Sequence, residues 1–199
     1  SVSSQIDEFL AQPKNMIKRI SLLARTKKII NEDKILDYLN AYIETYPYFE
    51  NILVLSPNGK IRYISPYDRN YLGIDLSRQN FYISVLEKKR VIWSPVFISQ
   101  QNGQPTVAIA QMSEDGFVIV GYLNLRFLNA IIHKFYAGKE VQVGIVDDDG
   151  NLIAHSNVEY VNQRTNIKNL KSIRLGALGN QITLEEKFEN IDHLVSVDM

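Results

Sequence analysis

Two glycines, Gly59 and Gly150, constrain this chain more than any other feature, because the same short unit surrounds each. The first reads Ile52-Leu-Val-Leu-Ser-Pro-Asn-Gly59-Lys-Ile-Arg-Tyr-Ile-Ser65, the second Val143-Gly-Ile-Val-Asp-Asp-Asp-Gly150-Asn-Leu-Ile-Ala-His-Ser156. Each runs a mostly apolar strand into a polar turn that ends in Gly, then a second short strand that closes on Ser. Asn-Gly and Asp-Gly supply the positive φ that a tight hairpin demands. Two copies so far apart predict two similar modules in series, since solenoid repeats are much shorter.

Composition narrows the class. The 199 residues are 45% hydrophobic and 22% charged, enough for one large or two small globular domains. Lys+Arg and Asp+Glu are both 22, so the basic excess of a generic nucleic-acid binder is missing. Without cysteine, neither disulfides nor thiolate-held zinc enter the fold. No apolar run reaches the roughly eighteen residues of a membrane span. The chain starts at Ser1 without an initiator Met and stops just after strand-like His193–Val197, so a piece excised from a longer protein is expected.

Taken in order, the chain opens with helix. Ile6, Phe9, Leu10, Pro13, Ile17, Ile20, Leu23 and Ile30 recur at helical spacing. Pro13 either kinks that helix or occupies its first turn. Lys14, Lys18, Arg19, Arg25, Lys27 and Lys28 make the segment basic, which reads as a solvated face or as contact with a membrane surface. Asn31-Glu-Asp33 caps a second helix carrying Ile35, Leu36, Leu39, Tyr42, Ile43 and Tyr46, which Pro47 ends.

Strands are then predicted at Asn51–Leu55, Lys60–Ile64, Val91–Ile98, Gln104–Met112 and Phe117–Leu125. A helical excursion lies between Ser65 and about Lys89, with Phe81, Tyr82, Val85 and Leu86 on one face. Phe117-Val-Ile-Val-Gly-Tyr-Leu is apolar on both faces, as a covered central strand should be. A helix from Arg126 to Tyr136, stopped by Gly138, links to a second module that restarts at Val141. That module is expected to hold the repeated hairpin, a helix near Asn166–Leu175, and strands at Gln181–Phe188 and His193–Val197. A five-stranded copy would need one strand more.

This order of motifs resembles the double Cache family of extracytoplasmic sensor domains. The residues that carry the resemblance are Val54-Leu-Ser-Pro-Asn-Gly-Lys-Ile, Leu72-Gly-Ile-Asp-Leu-Ser-Arg-Gln-Asn-Phe-Tyr82, Trp93-Ser-Pro, Pro105-Thr-Val-Ala-Ile-Ala110, Gly121-Tyr-Leu-Asn-Leu125 and Ile145-Val-Asp-Asp-Asp-Gly-Asn-Leu-Ile-Ala-His155. It implies an α+β fold: a long N-terminal helix followed by two PAS-like antiparallel-sheet modules in series. Residues 1–47 would be the stem, 48–137 the membrane-distal ligand-binding module and 138–199 the smaller proximal one. It further implies a receptor in the plasma (inner) membrane, with this segment periplasmic or extracellular between transmembrane helices outside the chain. Its output would be a histidine kinase, a cyclic-di-GMP (GGDEF-type) enzyme or a chemoreceptor. Its ligand would be an amino acid, small carboxylate or amine, and a homodimer through the N-terminal helix would transmit the signal.

One subset of the family holds amino acids through an Arg before an aromatic pair, a Tyr-x-Asp, and an Asp in the last strand. Those positions fall here on Gln79, Phe81-Tyr82, Phe97-Ile-Ser99 and Asn124, and only Tyr82 matches outright. Bidentate capture of an α-carboxylate is therefore missing at Gln79. Arg78, one residue earlier, is the candidate cation for an acid. The remaining expected lining is Tyr63, Tyr67, Phe81, Tyr82, Trp93, Phe97, Gln111 and Tyr122, apolar walls with a few polar groups; large aromatics on strands also serve as plain core.

Other chemistry finds little support. Asp147-Asp-Asp-Gly-Asn151 lacks the alternating ligands and terminal Glu of a calcium loop and reads as a hairpin turn. His133, His155 and His193 share no metal-binding spacing. Nucleophile elbow, phosphate loop and paired carboxylates at helical spacing are absent, so the segment reads as non-catalytic and without a cofactor. Two alternatives stay open: a cytosolic tandem PAS protein holding haem at His133 or flavin, and a ligand-free dimerisation module.

Overall fold

The computed structural model describes residues 2–25, 32–136, 142–176, 178, 182–189 and 191–197. Lys27, Lys28, Ile30, Asn31, Gly138, Val141 and Gln181 of the readings above lie outside the described residues. The chain forms two compact units, 1–128 and 129–199.

The first unit starts with α1 (Val2–Arg25) and α2 (Glu32–Thr45), and Pro13 lies well inside α1 rather than in its first turn. Five strands follow: β1 (Phe49–Leu55), β2 (Ile61–Ser65), β3 (Ile92–Trp93), β6 (Ala108–Met112) and β7 (Val118–Leu123). They make one antiparallel sheet in the order β2-β1-β7-β6-β3. α3 (Asn80–Lys88) lies in the excursion between β2 and β3.

Two predicted strands are broken. Val91–Ile98 divides into β3 and β4 (Phe97–Ile98), and Gln104–Met112 into β5 (Pro105–Thr106) and β6. The reason is local. Ser94 makes two bonds with Ala108, its N–H donating to the carbonyl and its Oγ accepting from the N–H. Pro95 then has no N–H to continue the ladder. The chain leaves the sheet there, and β4 and β5 pair as a separate hairpin.

Strand periodicity divides the sheet's two faces. Leu53, Leu55, Ile92, Ala108, Ala110, Val118, Val120 and Tyr122 face one way, joined by Phe81, Tyr82 and Val85 of α3 in a single buried cluster. Ile52, Ile109 and Gly121 pair with one another and so share the opposite face. That face takes the stem, whose Met16, Ile17 and Ile20 are buried. Gly121 makes the stem's approach possible: a Cβ there would collide with the Phe49 ring and lie 2.9 Å from Ile17 Cδ1.

In the second unit β8 (Gly144–Val146) and β9 (Leu152–His155) form the repeated hairpin, and β10 (Ile182–Phe188) pairs with β11 (Ile191–Val197). Two helices lie between these ladders, α5 (Val158–Asn162) and α6 (Lys171–Gly176). Only the latter was expected, as part of a longer helix. α4 (Leu125–Tyr136) precedes this unit's strands. His155 is buried, and that burial holds its imidazole below the usual histidine range.

The repeat is deeper than the hairpins. Gly59 has φ +81° and Gly150 φ +79°. Leu76 N–H donates to the Gly59 carbonyl, and Ile167 N–H donates to the Gly150 carbonyl, each at 2.8 Å. Asp75 Oδ1 accepts from Ser77 N–H, as Asn166 Oδ1 accepts from Lys168 N–H. Every one of these pairs is offset by the distance from Gly59 to Gly150. A side chain at either glycine would strike the returning segment, with Cβ 2.6 Å from Ser77 Cβ or 2.7 Å from Lys168 Cα.

Gly121→Ala should cost about 1–3 kcal/mol by overpacking the stem face. Thermal denaturation followed by circular dichroism should show a lower midpoint, and an unchanged midpoint would mean that the stem does not pack where described.

Candidate functional site

The site is built on the sheet face away from the stem. Leu76, drawn into the core beside the Gly59 turn, delivers the chain to Gln79, where α3 begins. Gln79 makes no side-chain capping bond. Phe81 and Tyr82 follow on the buried side of the helix. Tyr82 Oη donates to the Pro57 carbonyl at 2.8 Å, tying α3 to the hairpin turn. Burial first, and the Asp75 carboxylate second, raise its phenol above the ordinary value.

Phe97, on β4, and Tyr122, on β7, meet Phe81 in a three-ring cluster. Ring centroids lie 5.9 Å apart for Phe81–Phe97, 6.1 Å for Phe81–Tyr122 and 5.2 Å for Phe97–Tyr122, the last two edge to face. Such offset contacts are the favoured geometry for aromatic pairs. Tyr122 is only 5% exposed. Burial alone pushes its phenol far above the usual tyrosine range.

Of the nine expected lining residues, the structure brings four together: Phe81, Tyr82, Phe97 and Tyr122. Tyr63, Trp93 and Gln111 go to the other face. Tyr63 pairs with Val54, Trp93 with Ile109 and Gln111 with Ile119, all one residue out of phase with the cluster. The physical cause is the two-residue period of a strand, which no aromatic can override. Gln111 Nε2 donates to the Met112 carbonyl at 2.9 Å. Tyr67 is 56% exposed in the excursion. Arg78 is also exposed, on the outer side of the turn that buries Leu76.

Near Arg78 stands Asp75, fully exposed. The Ser77 hydroxyl and backbone N–H, with Lys60 and Arg78 contributing charge, hold its carboxyl below the ordinary range. This small polar rim closes the end of the hairpin. It was missed as a unit, although Ile74-Asp-Leu-Ser77 and Thr165-Asn-Ile-Lys168 stand at the same offset as the two glycines. Among the described residues no group of His, Cys, Asp and Glu is placed to hold a metal ion.

Solved structures with a similar fold exist at low sequence identity. An extracellular ligand-binding receptor from Desulfohalobium retbaense superposes with a TM-score of 0.74 and 16% identity, over 94% of this chain and 34% of that one. The extracellular domain of the putative histidine kinase rpHK1S-Z16 gives 0.75 and 12%, over 94% and 80%. The ligand-binding domain of the Campylobacter jejuni chemoreceptor Tlp3, solved with 4-methylisoleucine, gives 0.67 and 14%, over 95% and 78%.

The fold is that of an extracellular sensory domain. This chain thus spans about a third of the Desulfohalobium protein and most of the other two sensory domains. No protein-family model matches the sequence, and no curated protein matches it. Among the described residues no helix of this sensory-domain fold is long and apolar enough to cross a membrane.

The Tyr122 environment has a pH consequence. A phenol raised by folding contributes stability that is complete below the unfolded value near 10. That stability is lost as pH rises beyond it, at up to about 1.4 kcal/mol per pH unit. Urea unfolding at about pH 9 and about pH 11 should show a shallower alkaline loss for Tyr122→Phe than for the parent. Equal losses would place Tyr122 in water.

Proposed function

We propose that this chain is the extracytoplasmic small-molecule sensor domain of a transmembrane signalling receptor. The observation that carries the reading is the aromatic cluster of Phe81, Phe97 and Tyr122, placed under α3 on the face of the first unit's sheet opposite the stem. This unit is the ligand-binding, membrane-distal module, and the second unit is the proximal one. Flanking membrane helices outside this chain tether it to the plasma membrane, and a histidine kinase, a cyclic-di-GMP enzyme or a chemotaxis module reads its state.

The chemistry of the cluster supports binding rather than catalysis. Its walls are apolar, its polar atoms are phenols, and the charged side chains nearest in sequence, Arg78 before Phe81 and Arg126 after Tyr122, are exposed. A small ligand inserted beside Phe97 and Tyr122 would shift the β4–β5 hairpin and α3 against the sheet. The stem packs on the reverse side of the same strands, so a displacement of β6 or β7 reaches it directly. Ligand drives the change only if it binds one arrangement better than the other. A homodimer through the stem would then convert that shift into a change between subunits.

Thermal unfolding across a panel of small carboxylates, amines, amino acids and neutral amides tests this. A binder at a hundred times its dissociation constant adds about 2.7 kcal/mol, a shift of several degrees. Phe97→Ala should abolish that shift. A panel without any stabilising member would contradict the sensor reading and favour a module that works through protein contacts alone.

A further inference from the structure

The buried polar inventory of the first unit bears on the chemistry of any ligand it takes. Among the described residues of that unit no charged side chain is buried. Those buried polar residues are Ser21, Ser65, Ser94, Ser99, Thr106 and Ser113, and every hydroxyl is engaged. Ser21 donates to the Lys18 carbonyl, Ser65 to Asn40 Oδ1, Ser94 to the Pro95 carbonyl and Thr106 to the Leu123 carbonyl. Ser99 Oγ accepts from Gln101 N–H, and Ser113 Oγ accepts from Phe117 N–H. Tyr82 is held by Pro57.

Tyr122 is the exception. Its ring is packed by Phe81 and Phe97, yet its hydroxyl has no hydrogen-bond partner among the described residues. The residue is 5% exposed, yet this oxygen is not among the fully buried unpartnered atoms, so the hydroxyl opens onto space that water or a ligand reaches while its ring stays in the core. The one fully buried, unpartnered side-chain atom among the described residues of this unit, Gln101 Oε1, is an amide oxygen and carries no charge.

We infer that the first unit takes an uncharged ligand, a small apolar body bearing one hydrogen-bond acceptor such as a carbonyl or a ring nitrogen, and that Tyr122 Oη donates to that acceptor. The inference rests on the reading of the aromatic cluster as the ligand site. A carboxylate or ammonium entering this cluster would lose its water without meeting a buried opposite charge, and that loss is severe for an ion and mild for an amide. The phenol suits the donor role because a tyrosine hydroxyl keeps its proton throughout the physiological range.

The test uses the 1–199 chain and ligands that share an apolar body and differ in the head group it carries, neutral, anionic, cationic or zwitterionic. Isovaleramide, isovalerate, isoamylamine and leucine form one such series, and matching series are made on straight-chain and benzyl bodies. Calorimetry should find the neutral amide bound at least about tenfold more tightly than its charged counterparts in one series. Tyr122→Phe should weaken that amide by about tenfold, the size of one good hydrogen bond, while Tyr160→Phe in the second unit leaves it unchanged. The isovalerate arm also probes the free N–H groups at the start of α3 as a substitute for a cation. A charged member that binds as well as the amide, or an amide affinity unmoved by Tyr122→Phe, overturns the inference and leaves the sensor reading standing. No binding in any series overturns both. Should Tyr122→Phe fail to fold, the charge series decides alone.

Discussion

Burial of one strand on both faces is the constraint from which the rest of this structure follows. Every residue of β7, Val118–Leu123, is buried. A strand in that position must be covered twice, and the chain supplies two different covers. On one side Gly121 admits Ile17 of the stem. On the other, Val118, Val120 and Tyr122 meet α3 and its aromatic residues. The end of β7 is tied down as well: Asn124 N–H donates to the Tyr48 carbonyl at 2.8 Å, and Asn124 Oδ1 accepts from Phe127 N–H at the start of α4. A ligand that moves β7 therefore acts on both covers and on the root of α4.

The two units share a scaffold and diverge where a ligand would sit. At the constant offset that relates Gly59 to Gly150, the place of Phe81 is taken by Ser172 and that of Tyr82 by Ile173. The amide ends differ too. The Glu186 carboxylate accepts from the Lys171 and Ser172 N–H groups at the start of α6, while Gln79 gives the start of α3 no side-chain cap. So the second unit closes its own helix end with a glutamate, and the first unit keeps an aromatic cluster instead. The duplicated hairpin with its capping segment is a framework, and the residues laid over it give each unit its character.

Much of this was legible before any coordinates. Asn-Gly and Asp-Gly announced the two hairpins because only a left-handed turn residue serves there, and the apolar 118–123 run announced a covered strand. Phe81, Tyr82 and Val85 were assigned correctly to the inner side of α3 from helical spacing alone, whereas Leu86, expected on the same face, lies at the edge of that stripe and is 37% exposed. Tyr63, Trp93 and Gln111 were expected in the lining and face the other way, because residue type says nothing about register and one step along a strand reverses a side chain. The division of Val91–Ile98 required knowing that Ser94 bonds Ala108 twice, a long-range fact without a local signal. Tyr122 differs again: its residue type made it a candidate, but its unspent hydroxyl emerged only when the partners of the other buried hydroxyls were known.

The most direct test of the central claim is a ring-resonance map by NMR with labelled phenylalanine and tyrosine. On adding the small molecule that stabilises the domain most, the Phe81, Phe97 and Tyr122 rings should shift together, while Tyr160 and Phe188 of the second unit stay in place. Shifts confined to Tyr160 and Phe188, with the first-unit rings silent, would contradict the assignment of the ligand site to the cluster under α3.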